Sequence, residues 1–134
     1  IRDPLDTIPS YFSLQENVKF GNLLSNKELK LLRKETYAEI IEWYKETEKV
    51  KSKLYKKQFI VFTYKQITED LENSIKSFYK FINKKMTKKF EKEVARFSKK
   101  KYVKKHQNKS IEDYGITKKR ILNDFDFVYQ EYFT

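Results

Sequence analysis

One stretch, Lys56-Lys57-Gln58-Phe59-Ile60-Val61-Phe62-Thr63-Tyr64, restricts the fold more than any other. Its four consecutive apolar residues, partly β-branched, suit a strand buried on both faces of a sheet. A strand cannot stand alone, so this one must pair with strands that lie outside the chain or are poorly signalled within it. The flanking sequence reads as helices. Together they predict a predominantly helical α/β layer arrangement with one clear buried strand, rather than a bundle.

The helices announce themselves by their caps and apolar spacing. After Gly21-Asn22, Ser25 or Asn26 can cap a helix from about Lys27 to Lys51, with Glu28 in its first turns. Leu29, Leu32, Ile40, Ile41, Trp43 and Tyr44 supply its apolar residues, in a stripe broken by Arg33, Lys34 and Glu35. Beyond the strand, Leu71, Ile75, Phe78 and Ile82 recur at helical spacing. Met86-Thr87 introduces a short helix with Phe90, Val94 and Phe97 on one face and Lys88, Lys89, Lys92 and Arg96 on the wet side. Thr117 caps a last helix whose Ile121, Phe125, Val128 and Tyr132 form a stripe toward a core. Gly115, just before it, suits a turn that needs positive φ.

Chemistry concentrates at the start, in Arg2-Asp3-Pro4-Leu5-Asp6-Thr7-Ile8-Pro9-Ser10-Tyr11-Phe12. Asp3 or Asp6 can serve as N-cap, with Pro4 or Pro9 in a first turn where a missing amide hydrogen costs little. Such a terminus offers unpaired N–H groups to an anion, Arg2 adds a bidentate fork and Ser10 a hydroxyl. A start at Asp6 leaves Ser10 near the positive end; a start at Asp3 places Pro9 inside the helix, where it would introduce a kink. The same residues also describe an ordinary capped helix with a solvated Arg.

Composition narrows the partners. The 134 residues make one domain or a piece of one, and thirty Lys and Arg against nineteen Asp and Glu give a net charge of +11. Anionic partners are favoured, although an AT-rich genome also enriches Lys, Asn, Ile, Tyr and Phe. With no Cys and a single His, the chain has no disulfide, no thiolate site and no His-rich metal site. No apolar run approaches the roughly eighteen residues of a membrane span, and no signal peptide is visible. The basic run from Ser98 to His106 has only Tyr102 to stack on a base, so nucleic acid is not the expected partner. The chain opens on Ile1 without an initiator Met, and an N-terminal portion is expected to be missing or carried by another chain.

Three segments, in order, resemble the sulfotransferase family. Arg-Asp-Pro-x-Asp-x-x-x-Ser looks like the segment that binds the 3′-phosphate of 3′-phosphoadenosine 5′-phosphosulfate (PAPS). Tyr64, Asp70, Ile75 and Phe81 fall in the register of that family's strand-end Tyr-Glu-Asp-Leu, Asp-Pro and Phe-Leu-Gly segment. Lys65 and Gln66 depart from its acidic pair, Leu71 from its Pro and Ile82-Asn83 from its Leu-Gly. Ser110-Ile111-Glu112-Asp113-Tyr114-Gly115-Ile116 is similar to its closing Ser-Leu-Glu-x-Phe-Gly-Leu turn.

The resemblance implies that residues 1–134 are the C-terminal portion of a single P-loop-like sulfotransferase domain that moves a sulfuryl group from PAPS to an acceptor hydroxyl or amine. It puts Arg2 and Ser10 on the 3′-phosphate, Tyr64 beside the adenine, and Lys104 and Lys105 of a late basic loop on the same phosphate. It implies PAPS or adenosine 3′,5′-bisphosphate as ligand and no metal. In the family the phosphosulfate loop, its Lys and the His base precede the Arg-Asp-Pro motif, so the chain carries no catalytic residue and by itself should not turn over. Two glycines could not build a Gly-rich phosphate loop. Two other readings stay open: a noncatalytic basic module for an acidic partner, and a degenerate family member kept for assembly. Acceptor and compartment, cytosol or Golgi lumen, are open as well.

Overall fold

Asp3 opens the first helix, its carboxylate accepting the N–H of Leu5 at 2.8 Å, and Pro4 occupies the first helical position where it forfeits nothing. The computed structural model describes residues 1–19, 23–100 and 108–133. In chain order the elements are α1 (Pro4–Leu14), a π-helical turn (Gln15–Lys19), α2 (Asn26–Lys53), α3 (Tyr64–Glu69), α4 (Leu71–Phe81), α5 (Lys88–Ser98), a 3-10 turn (Glu112–Tyr114), α6 (Lys118–Asp124) and α7 (Asp126–Tyr132).

Every regular element among the described residues is helical, which overturns the expected α/β arrangement around a buried strand. Residues 59–63 are neither helix nor strand and only half-buried. A strand is defined by its ladder, and among the described residues the backbone pairing of this stretch with a distant segment is confined to Ile1. Its N–H donates to the Phe62 carbonyl, and its carbonyl accepts the N–H of Tyr64 at 2.6 Å. One flanking residue does not make a sheet.

The chain divides into two compact units. One comprises Asp3–Ser52 and His106–Thr134 and holds the larger core. Ile8 and Phe12 of α1, Ile40 and Tyr44 of α2, Ile121 of α6, Phe125, and Val128 of α7 are buried there. Phe125 meets Tyr37 and Tyr44 edge to face at 6.1 and 5.3 Å, an arrangement that suits the ring quadrupoles. Phe125 also breaks the expected terminal helix in two: at φ −112°, ψ 19° it ends α6 and precedes α7. The Thr117 hydroxyl caps α6 by accepting from Arg120 N–H, and Gly115 takes φ +76°. Ser25 and Glu28 form a reciprocal cap on α2, and the Ser25 bonds hold the Glu28 carboxyl below its usual range.

The other unit comprises Ile1–Arg2 and Lys53–Lys105. Its helices are capped as the sequence predicts at Thr87, which accepts from Phe90 N–H. α4 and α5 are both amphipathic. Yet among its described residues the only buried apolar side chain is Val94, and the rest of its apolar faces are half-covered or open.

Candidate functional site

Arg2 and Tyr64, 62 positions apart in sequence, come together through the backbone of their neighbours. The two bonds from Ile1 to Phe62 and Tyr64 fix the residue before Arg2 against the start of α3. Thr63 caps α3: its hydroxyl accepts from Gln66 N–H at 3.1 Å, and the Gln66 amide oxygen accepts the Thr63 N–H at 2.8 Å. Gln66 thus does at the third helical position what a Glu would do, so the cap forms despite the departure of Gln66 from the family's acidic pair. Tyr64 is therefore the first residue of a helix, not the last of a strand.

The Arg2 guanidinium carbon lies 5.1 Å from the centroid of the Tyr64 ring, and Tyr64 is 38% exposed. A guanidinium laid on an aromatic face keeps its edge N–H donors directed in its own plane, the geometry a phosphate or carboxylate accepts.

Ser10 belongs to the other unit and sits in the seventh position of α1, half-buried. Because the helix begins at Pro4, Pro9 lies inside it and removes one backbone rung. Ser10 is then beyond the first turn, where the dipole no longer helps an anion. Only its hydroxyl is available for that role. Asp3, which the cap employs, is further held by the Tyr129 hydroxyl at 2.6 Å; burial and this bond raise the phenol's pKa. Lys104 and Lys105, together with Tyr102 and His106, lie outside the described residues.

A cavity of about 420 Å³ opens in the same unit as Ser10, lined by Lys30, Arg33, Lys34, Tyr37, Tyr114 and Arg120 among others. Arg33 forks onto Glu16 at 2.5 and 3.1 Å and lies 5.2 Å from the Tyr114 centroid. That hydrogen bond raises the already high Arg33 pKa. Arg120 lies 4.8 Å from the Tyr37 centroid, and the Tyr37 hydroxyl donates to Asp124 at 2.9 Å. Burial, then that bond, raise the Tyr37 pKa. Sequence reasoning saw Arg33 and Lys34 only as interruptions. The signal was present: Lys30, Arg33, Lys34 and Tyr37 fall at i, i+3, i+4 and i+7, one face of α2.

Among the described residues no group of three or more His, Cys, Asp or Glu side chains could hold a metal, and no helix is long and apolar enough to cross a membrane. The sulfotransferase domain model matches residues 1–131. The chain belongs to the sulfotransferase family. No curated protein and no solved structure matches it.

For a sulfotransferase the match reaches from the pairing at Ile1 through α1 to α6 and almost to the end of α7. Membership of this family of transferases implies a nucleotide sulfonate donor. It also gives the Arg2–Tyr64 pair a chemical context that the pair alone does not have.

Proposed function

We propose that this chain supplies the 3′-phosphate and adenine side of a PAPS site in a sulfotransferase acting on an acceptor hydroxyl or amine. Arg2 forks onto the 3′-phosphate, Ser10 donates its hydroxyl to it, and Tyr64 lies beside the adenine. Lys104 and Lys105 add positive charge. The observation that carries the reading is the Arg2 guanidinium held on the Tyr64 ring, which joins the first and second of the three resembling segments. The family match along residues 1–131 supports the class of reaction.

PAPS supplies an activated sulfuryl group: the acceptor oxygen or nitrogen bonds to sulfur as the sulfur–oxygen bond to the 5′-phosphate breaks. Adenosine 3′,5′-bisphosphate leaves, and the acceptor proton passes to a base. The residues assigned above do not touch the reacting atoms. They fix the far end of the donor, and that positioning lowers the entropic cost of bringing sulfur and acceptor together. In this reading the phosphosulfate loop and the base belong to an N-terminal part of the same domain, residues 1–134 being its C-terminal portion.

The test has two parts. Residues 1–134 alone should bind adenosine 3′,5′-bisphosphate weakly and transfer no sulfate from labelled PAPS. Robust transfer by this chain would overturn the assignment of catalysis to other residues. Binding that ignores Arg2 but falls steeply with salt would favour a generic polyanion surface.

A further inference from the structure

Lysine is unevenly distributed in this chain. Residues 53–100 hold fourteen Lys and Arg against five Asp and Glu, whereas the unit of residues 3–52 and 106–134 holds twelve against fourteen. A compositional bias toward Lys would load both alike, so the excess belongs to a surface. Its densest part is the hairpin of α4 and α5, where no acidic residue occurs from Asn73 to Phe90. Lys76 is paired with Glu72 at 2.6 Å; Lys80, Lys84, Lys85, Lys88 and Lys89 have no carboxylate partner among the described residues.

The same hairpin presents apolar side chains to water. Phe78, Ile82 and Phe90 are 39%, 40% and 39% exposed. The Tyr79 ring lies 6.2 Å from Phe78 and 5.6 Å from Phe90, so these rings form one cluster. Asn83, at φ +52°, turns the chain at the tip. Two turns along α5 from Phe90, the exposed Phe97 ring has Arg96 and Lys100 within 5.0 and 4.7 Å of its centroid.

We propose that the α4–α5 hairpin docks on an acidic lipid bilayer, with Phe78, Ile82 and Phe90 entering the headgroup boundary and the unpaired lysines meeting anionic headgroups. A soluble polyanion would satisfy the lysines and leave the rings in water. An acidic interface takes both, and each lysine near such a surface adds to the attraction. Helices of eleven residues, α4 and α5 lie on the bilayer rather than cross it. The inference does not rest on the nucleotide site.

The test is co-sedimentation of the purified chain with phosphatidylcholine vesicles, with or without roughly one third phosphatidylserine. Binding should be at least about tenfold tighter with phosphatidylserine and weaken about tenfold in Lys84→Gln/Lys85→Gln/Lys88→Gln/Lys89→Gln. Ile82→Ser/Phe90→Ser should weaken it comparably, with an unchanged far-UV circular dichroism spectrum. As a check independent of those variants, a Phe90→Trp reporter in a Trp43→Phe background should be quenched by brominated acyl chains. Equal retention by both vesicles, or an unquenched reporter, overturns the proposal. So does lysine-dependent binding to RNA or a sulfated polysaccharide without preference for phosphatidylserine.

Discussion

Replacing Arg2 by Ala separates a phosphate-binding arginine from a structural one, provided the ligand is varied at the same time. Arg2 is half-buried and its guanidinium rests on Tyr64 at 5.1 Å, a cation–π contact whose loss on truncation costs the fold about 0.5–1 kcal/mol. Toward a 3′-phosphate the fork makes two charge-assisted hydrogen bonds. Each is worth about 1.5–3 kcal/mol when shielded, and the low end applies at this partly open position. The pair then contributes about 2–3 kcal/mol, or about 30- to 150-fold in Kd. NMR titration, which reads millimolar affinities, would compare adenosine 3′,5′-bisphosphate with adenosine 5′-monophosphate on the native chain and on Arg2→Ala. The native chain should prefer the bisphosphate by at least that factor, and in the variant the preference should shrink by about as much. An equal fall in affinity for both ligands gives no coupling between side chain and 3′-phosphate, and would refute the assignment.

Other perturbations test the fold that carries the site. Phe125→Ala empties a fully buried position against Tyr37 and Tyr44 and should cost about 3–5 kcal/mol in urea denaturation; a loss below about 1 kcal/mol would mean that the core is not packed as described. Arg33→Met leaves the buried Glu16 carboxylate unpaired and should destabilise by about 2–4 kcal/mol, most of it recovered in Glu16→Gln/Arg33→Met. The raised Tyr37 pKa means that the fold holds a proton the unfolded chain would release. Its contribution is complete below about pH 10 and is lost as pH rises toward the folded pKa, at up to about 1.4 kcal/mol per pH unit. Stability measured from pH 9 to 11 should therefore fall less steeply in Tyr37→Phe, and parallel curves would contradict the argument.

What could be read from the chain beforehand was local chemistry. The caps at Asp3, Ser25, Thr87 and Thr117 follow from short polar side chains placed before apolar periodicity, and positive φ at Gly115 follows from the lack of a Cβ. Phe59 to Phe62 misled because an apolar run reports a wish for burial, not the partner that would make it a strand. The break at Phe125 was invisible for a related reason: the stripe from Ile121 through Phe125 to Val128 is continuous in sequence although the backbone is not. Arg2 and Tyr64 were named from the family segments, and it took the Ile1 hydrogen bonds to bring them together. Trp43, expected among the apolar residues of α2, packs edge-on against Tyr11 at 5.0 Å yet stays nearly half exposed. The basic cavity went unseen because cations at helical spacing read as a wet face unless something concave is known to lie opposite.

The scarcity of interior in the unit built on α3, α4 and α5 has a kinetic corollary. With Val94 the one buried apolar side chain among the described residues there, opening those helices exposes little new oily area, so their amides should trade hydrogen for deuterium well before those of α1, α2 and α7. Tyr64 belongs to this soft half. Whatever grips that ring must also still it, and part of the grip will be spent on doing so.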